Sequence, residues 1–523
     1  MVESRSDLEL LLRVLHCCFD SNLMKIPHTF KLLATSLSVI TLAGCASFDP
    51  TPLQQADIAT QAKLDKEKVG KEIEPIAGPM TLEEAIARAI KYNADRRVKA
   101  MEEAVAYGTL DLSNFDMLPK VVAGAGYRNR NNDLITRIPG SQGSLTSSRE
   151  VTTTDLSFTW SLLDFGQSYY ASKQNADRLL IAMERRRKAL HNLVQDVRTA
   201  YWRVVAADKL GKSIRETITD AEAALQTSES TEGAMLRSPM EPLRYQRQLL
   251  ENLRMLETVD QELSTAKLEL AALTSLPMGT QFTVVEPKFN LSKTWLSTST
   301  DEMELHAIVN NPDMRESIYN TRIAQAETKR AMLKMFPGIS FSYGNKSSND
   351  EYLVNQSWKE AGAQISFNLL GILSAPAQSR LAELGVSLTD QKRIASHMAV
   401  ISQLHIARLQ YENSSRQYER ATKIANVDQR MADHSANLAR VEKVSKQESV
   451  AQQTASILSN LRRYQALSNA QTAASKLQAT LGLEPVIAGS DNMPLAELTS
   501  VVAKSLADWE SGVLPKLPAQ VKW

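Results

Sequence analysis

The stretch Leu156-Ser157-Phe158-Thr159-Trp160-Ser161-Leu162 decides the fold, because apolar and small polar residues alternate along it. Leu156, Phe158, Trp160 and Leu162 fall on one face and Ser157, Thr159 and Ser161 on the other, the period of a strand lying between two different media. The pattern returns 207 residues later, with Ala363, Ile365, Phe367 and Leu369 opposing Gln364, Ser366 and Asn368. Ile339, Phe341 and Tyr343 alternate with Ser340, Ser342 and Gly344, and Val121, Ala123, Ala125 and Tyr127 form a weaker version. Four strands are expected, near 119–128, 152–163, 337–345 and 361–370. The polar stretches 128–150 and 345–360 link them in pairs as exposed hairpin loops.

The recurrence extends over the whole body of the chain. Asn93-Ala94-Asp95 returns as Asn311-Pro312-Asp313 and Met117-Leu118-Pro119 as Met335-Phe336-Pro337, both 218 residues on. Glu241, Leu243 and Gln246 match Glu448, Val450 and Gln453 at the shorter offset of 207. Internal similarity in one order at nearly one spacing marks a duplicated unit. We therefore expect a first repeat over 80–300 and a second over 301–485. Each opens with helices, over 81–117 and 301–335, broken at the Asn-x-Asp element. Each closes on a long helical hairpin, 166–276 in the first copy and 375–482 in the second.

Apolar steps of three and four residues give these hairpins their seams. Leu190, Val194, Val197, Tyr201 and Val204 form one, and Leu249, Leu253, Leu256 and Leu263 another. Ile394, Met398 and Ile401 form a third, and Ile457, Leu461, Tyr464 and Leu467 a fourth. No proline occurs from Gln167 to Ser228, so roughly 60 residues rising about 1.5 Å each predict a rod near 90 Å long.

Composition removes several function classes. Lys and Arg total 60 against 59 Asp and Glu, a net charge of +1, which argues against a nucleic-acid partner. Three cysteines supply neither a disulfide framework nor a zinc site, and the seven histidines lack ligand spacing, so no metal or other cofactor is expected. Gly124-Ala125-Gly126 does not continue to a phosphate-binding fingerprint, and there is no nucleophile elbow or kinase element, so the chain is not expected to be an enzyme. No long apolar run in the body suits a membrane-spanning helix.

The N-terminus reads as an address. Lys25 and Lys31 precede a short, mostly apolar core over 32–41, closed by Leu42-Ala43-Gly44-Cys45. That ending resembles the lipobox of bacterial lipoproteins, which implies cleavage before Cys45 and acylation of its sulfur. Ala46 in place of aspartate fits sorting to the outer membrane. Residues 24–44 are then the signal peptide, and 45–79 a lipidated linker. Glu3, Asp7, Glu9 and Asp20 suit no leader, so 1–23 is read as an extension upstream of the true start at Met24.

Four strands of 8–11 residues suffice to cross a bilayer when tilted. A lone four-stranded sheet there leaves two edges whose N–H and C=O groups face hydrocarbon at several kcal/mol each, so several chains must share one closed barrel. Two copies give eight strands with a filled interior, and three give twelve with room for a lumen. The sheet argument alone does not choose between them.

The duplicated helix–strand–strand–helix–helix unit, the Trp160-Ser161-Leu162-Leu163-Asp164-Phe165-Gly166 stretch and the lipobox together resemble the TolC-type outer-membrane efflux family over about 80–485. The resemblance implies a mainly α fold with a small β-barrel part. In it, coiled-coil helices of three protomers form a periplasmic tunnel beneath a trimeric, 12-stranded barrel. It also implies a passive duct that docks, through a periplasmic adaptor, onto an inner-membrane RND or ABC pump. Two cargoes fit: small-molecule or multidrug efflux, which is favoured, and proteins of a type I secretion system. A lipid-anchored coiled-coil scaffold without a pore is the reading from another class.

The resemblance places the tunnel tips at about 229–243 and 432–450. Leu236, Ser238 and Leu243 of the first tip, with Ser445 and Val450 of the second, become the expected adaptor contacts. Glu448 is the expected carboxylate of a periplasmic gate, with Glu241 second. A ring of such groups favours cations, and Ala451 stands where relatives often carry another carboxylate. Residues 486–523, with a short helical pattern from Leu495 to Trp509, are read as a periplasmic collar or tail.

Overall fold

One asparagine separates the opening helices of each repeat. The computed structural model describes residues 52–136, 140, 144–232, 240–287, 292–441, 443–483 and 493–518. In it, Asn93 separates α2 (Leu82–Tyr92) from α3 (Ala94–Phe115). Its backbone is extended at φ −60°, ψ 127°, which ends one helix while its side chain caps the next by accepting the Arg96 N–H at 3.1 Å. The same amide donates to the Leu273 carbonyl at 3.2 Å. Asn311 repeats the device between α8 (Thr300–Asn310) and α9 (Pro312–Leu333), accepting from Asp313 and Met314 and donating to the Thr480 carbonyl at 3.0 Å. Pro312 suits the first helical position, where no N–H partner is required. Each asparagine thus ties the opening of its repeat to the helical hairpin that closes it.

The helices between and around these are α1 (Gln55–Glu72), α4 (Leu162–Glu232), α5 (Met240–Ser264), α6 (Ala266–Leu273), α7 (Thr294–Ser297), α10 (Leu369–Arg440), α11 (Lys446–Thr480) and α12 (Leu495–Ser511). The chain forms two compact units, 1–68 and 69–523. In the first, the described residues 52–68 are exposed and mostly helical. All that follows concerns the second.

The main sheet holds β1 (Lys120–Asn129), β4 (Glu150–Ser161), β5 (Gly338–Ser348) and β6 (Ser357–Ser366) in the order β1-β4-β5-β6, antiparallel throughout. The β4–β5 ladder, from Thr153↔Ser348 to Ser161↔Ser340, fuses the two repeats. A small hairpin, β2 (Leu134–Thr136) with β3 (Ser144–Ser147), forms inside the stretch expected to be only loop. Two strand ends differ from expectation. Leu162 and Leu163 belong to α4, and β6 stops at Ser366, so Phe367 and Leu369 are not strand residues. Asn368 ends that alternation by accepting the Gly371 N–H at 3.0 Å as the cap of α10.

The helices below continue the strands. α3, α4, α9 and α10 pack side by side in that order, each joined to the strand at the same place in the sheet. α4 has 71 residues and α10 has 72, so each runs for about 105 Å. Against α4, residues Val197, Tyr201, Val204 and Ile214 gather α2, α11 and α12 into the largest core. The Tyr201 hydroxyl lies against two carbonyls, those of Met80 and Val285, where these two segments pair.

One further expectation needs correction. Ile394 and Met398 are 48% and 60% exposed, and the buried stripe of α10 is instead Val400, Leu404, Ala407 and Tyr411. The helical pattern read from Leu495 to Trp509 forms α12, whose Leu495, Leu498, Val502 and Leu506 are core residues packed against α2. Asn311→Ala should lower the stability of the folded protein by about 1–2 kcal/mol for the cap alone, with a further loss for the Thr480 carbonyl left bare. Asn311→Asp, which keeps the cap and loses the donor, should melt between the two when followed by circular dichroism.

Candidate functional site

Cross-strand register gathers apolar side chains into adjacent rows on one face of the sheet. Val121, Phe158, Tyr343 and Ala361 form one row across it, and Trp160, Phe341 and Ala363 the next, with Ile339 opposite Ile365 beyond. Phe158, Tyr343 and Ile365 remain 41%, 51% and 73% exposed, so no described element packs over them. The outer backbone edges of β1 and β6 pair with no described strand. The helical layer beneath has matching open borders. Along α3, Val98, Met101, Val105, Leu112 and Phe115 are exposed, and along α10 so are Leu381, Leu384 and Leu388. Steps of three, four and seven make each a ready seam for another helix.

At the far end of the sheet the two hairpins are tied together by the turn after β5. Asp350 accepts from the Ser147 hydroxyl at 2.6 Å and from the N–H groups of Ser148 and Tyr352 at 2.9 and 3.2 Å. These donors, led by the Ser147 hydroxyl, hold its carboxyl well below the usual carboxylate range. Asn349 and Thr152 exchange two hydrogen bonds beside it, at 2.7 and 3.1 Å.

Charged pairs join α4 to α9 below the sheet. Asp177 meets Arg322 at 2.7 Å, Arg185 meets Glu316 at 2.7 Å, and Lys188 meets Asp313 at 2.8 Å. Glu184, buried, lies between Arg187 and Arg315. Burial pushes the Asp177 carboxyl up in spite of Arg322, so at this position desolvation outweighs the attraction. His191, one turn further along, is driven down to about 4 by burial, with the Arg187 charge adding to the effect.

The tips carry the expected gate and docking residues. Ser445 is the cap of α11 and accepts the Glu448 N–H at 3.2 Å, a Ser-x-x-Glu spacing that also suits the positive end of the helix. Glu448 itself is exposed, with Gln452 as a side-chain donor at 3.5 Å. Leu243 is 44% exposed. Glu241 lies in the first turn of α5. Leu236, Ser238 and Cys45 lie outside the described residues. Val450 is not a surface contact: at 3% exposure it packs with Ala221, Ala224, Leu249 and Leu253, joining the second hairpin to the first. Sequence reasoning missed the Asp350 ties and the α4–α9 pairs. The recurrence of acids on α4 at Asp177 and Glu184, seven apart, was the available signal for the latter.

Among the described residues no cluster of side chains could hold a metal ion, and no helix is long and apolar enough to cross a membrane. The described residues thus form an amphipathic sheet, open on both edges, above a layer of long helices. Residues 85–275 match the family described as outer membrane efflux protein, which bears out the resemblance read from the sequence. The fold is that of solved outer-membrane channels. The CmeC outer membrane channel of Campylobacter jejuni superposes at a TM-score of 0.62 with 13% identity, over 83% of this chain and 89% of that one. A membrane protein from Pseudomonas aeruginosa gives 0.61 with 15% identity, over 81% and 98%. The open-state MtrE channel of Neisseria gonorrhoeae gives 0.57 with 16% identity, over 77% and 89%. No curated protein matches the sequence.

His191 generates a pH prediction. Its ordinary value of 6.5 falls to about 4 in the folded chain, so between these limits the unfolded state binds a proton that the folded state refuses. Stability is therefore full above pH 6.5 and declines as pH falls toward 4, by about 3 kcal/mol over the interval. Thermal melting of His191→Gln should depend less on pH across this window than melting of the unmodified protein.

Proposed function

We propose that the chain is one third of a passive outer-membrane duct that carries small molecules out of the cell from an inner-membrane pump. The observation that carries this reading is the shared open border of sheet and helix layer. The β1 and β6 edges would face hydrocarbon unpaired, which costs several kcal/mol per group and is relieved by closing the sheet. Three identical chains give twelve strands and a water-filled bore, whereas two give eight and a bore blocked by side chains. The exposed stripes of α3 and α10 would then meet across each boundary, so the helices close into a tunnel in the same register as the barrel.

The description of the family matched by 85–275 supports efflux as the activity. In this reading Cys45 carries the lipid, and the tips receive a periplasmic adaptor at Leu243 and Ser445, with Leu236 and Ser238 alongside. Val450 supports that surface from within. Glu448 narrows the closed aperture as a ring of three, with Glu241 behind it. Protein export would use the same duct and depends on which pump is attached.

Light scattering of the purified, full-length protein in detergent should give three chains per particle, and planar bilayers should show discrete conductance steps. Glu448→Gln should lower cation preference by about twofold to threefold if three carboxylates crowd the aperture. A monomer that passes no ions would overturn the duct and leave the scaffold reading.

A further inference from the structure

The face of the sheet opposite the apolar rows is built largely of glycine, serine and threonine, with its charges confined to a few levels. Gly124, Gly126, Gly338, Gly344 and Gly362, the glycines of the main sheet, all project onto it by register, among Ser157, Thr159, Ser340 and Ser342. Two of them make room for a neighbour. A Cβ on Gly362 would stand 2.9 Å from the Ser342 hydroxyl, and one on Gly124 would strike the Asp155 carboxylate, with its Cγ at 3.1 Å. Asp155 therefore lies sideways across Gly124 rather than projecting from the sheet.

Gly124, Asp155, Lys346 and Trp358 occupy one cross-strand row, and Glu360 sits in the adjacent one. Lys346 is held by Glu360 at 2.8 Å, and the Trp358 indole N–H donates to the same carboxylate at 3.5 Å. One cation and two carboxylates at this level leave one negative charge per chain. The other charges on this face are Lys120 and Arg128 of β1, each four residues from Gly124. At about 3.3 Å per residue they lie roughly 13 Å away, beyond the screening length of about 8 Å at physiological salt.

We propose that Asp155, seated on Gly124 and left unneutralised by the Lys346–Glu360 pair, gives the barrel bore its own cation preference, separate from any gate at the tips. This rests on the trimeric duct reading, in which the polar face lines the bore and three copies of Asp155 form one belt. The glycine seat keeps the belt flat against the wall, so it selects by charge and leaves the bore wide for cargo. Lys346 sets the size of the effect, since it neutralises one of the two carboxylates.

The test is the cation-to-anion permeability ratio of the full-length channel in planar bilayers under a potassium chloride gradient. Asp155→Asn, which keeps the shape, should lower the ratio by about threefold, because an ion passing near the wall lies within one screening length, about 8 Å, of a carboxylate. Lys346→Gln should raise it by a similar factor, because Glu360 is then uncompensated. Gly124→Ala, which pushes the carboxylate into the bore, should lower single-channel conductance while the charge remains. If the unmodified protein conducts and both Asp155→Asn and Lys346→Gln keep its ratio, the belt is not the selector and the duct reading survives. If the unmodified protein passes no current, both fail. A Glu448→Gln channel that keeps its selectivity while Asp155→Asn loses it would place selection in the barrel.

Discussion

Unpaired backbone at two borders is the constraint on which the rest depends. β1 and β6 each carry a row of N–H and C=O groups with no described partner, and the sheet between them presents Phe158, Trp160, Phe341, Tyr343 and Ile365 on one face. Water could satisfy such edges in a soluble protein. The exposed Phe158, Tyr343 and Ile365 argue that the surrounding medium is instead apolar, where each bare group is costly. The helical layer meets the same constraint with side chains in place of backbone, since the stripes on α3 and α10 stand directly beneath the open strands. One rule, that neither border is finished within a single chain, thus governs both layers.

The two repeats are joined by different chemistry at different heights. At the sheet it is a ladder of backbone hydrogen bonds between β4 and β5. Just below, α4 and α9 meet through charges such as Asp177 with Arg322 and Lys188 with Asp313. Lower still, aliphatic and aromatic side chains around Val197, Tyr201 and Val204 take over. Charged pairs with at least one exposed partner add little stability, but they tolerate only one register, because a sliding helix would face like charges. The apolar core below supplies cohesion without such discrimination.

Much of this was legible from pattern alone. Period two marked the strands, the two Asn-x-Asp elements marked the helix breaks, and the seams at Val194–Val204 and Leu249–Leu263 are buried as their spacing requires. The misreadings have physical causes. Leu162, Phe367 and Leu369 extend the alternation past the point where the strand ends, and an isolated apolar residue does not declare which period it serves. α10 carries apolar residues on two faces, so Ile394 and Met398 were as plausible a seam as Val400 and Leu404. The Asp350 ties join residues about 200 positions apart, which no local pattern encodes. Of the candidate site, capping explains Ser445, whereas the burial of Val450 depends on helices contributed by the other repeat.

That burial has a mechanical consequence. With Val450 lodged among Ala221, Ala224, Leu249 and Leu253, pulling the two hairpins of one chain apart would wet an aliphatic plug, at about 1.5–3 kcal/mol for each large side chain. At this level the two hairpins of one chain therefore travel together, as a single leaf pinned near its free end.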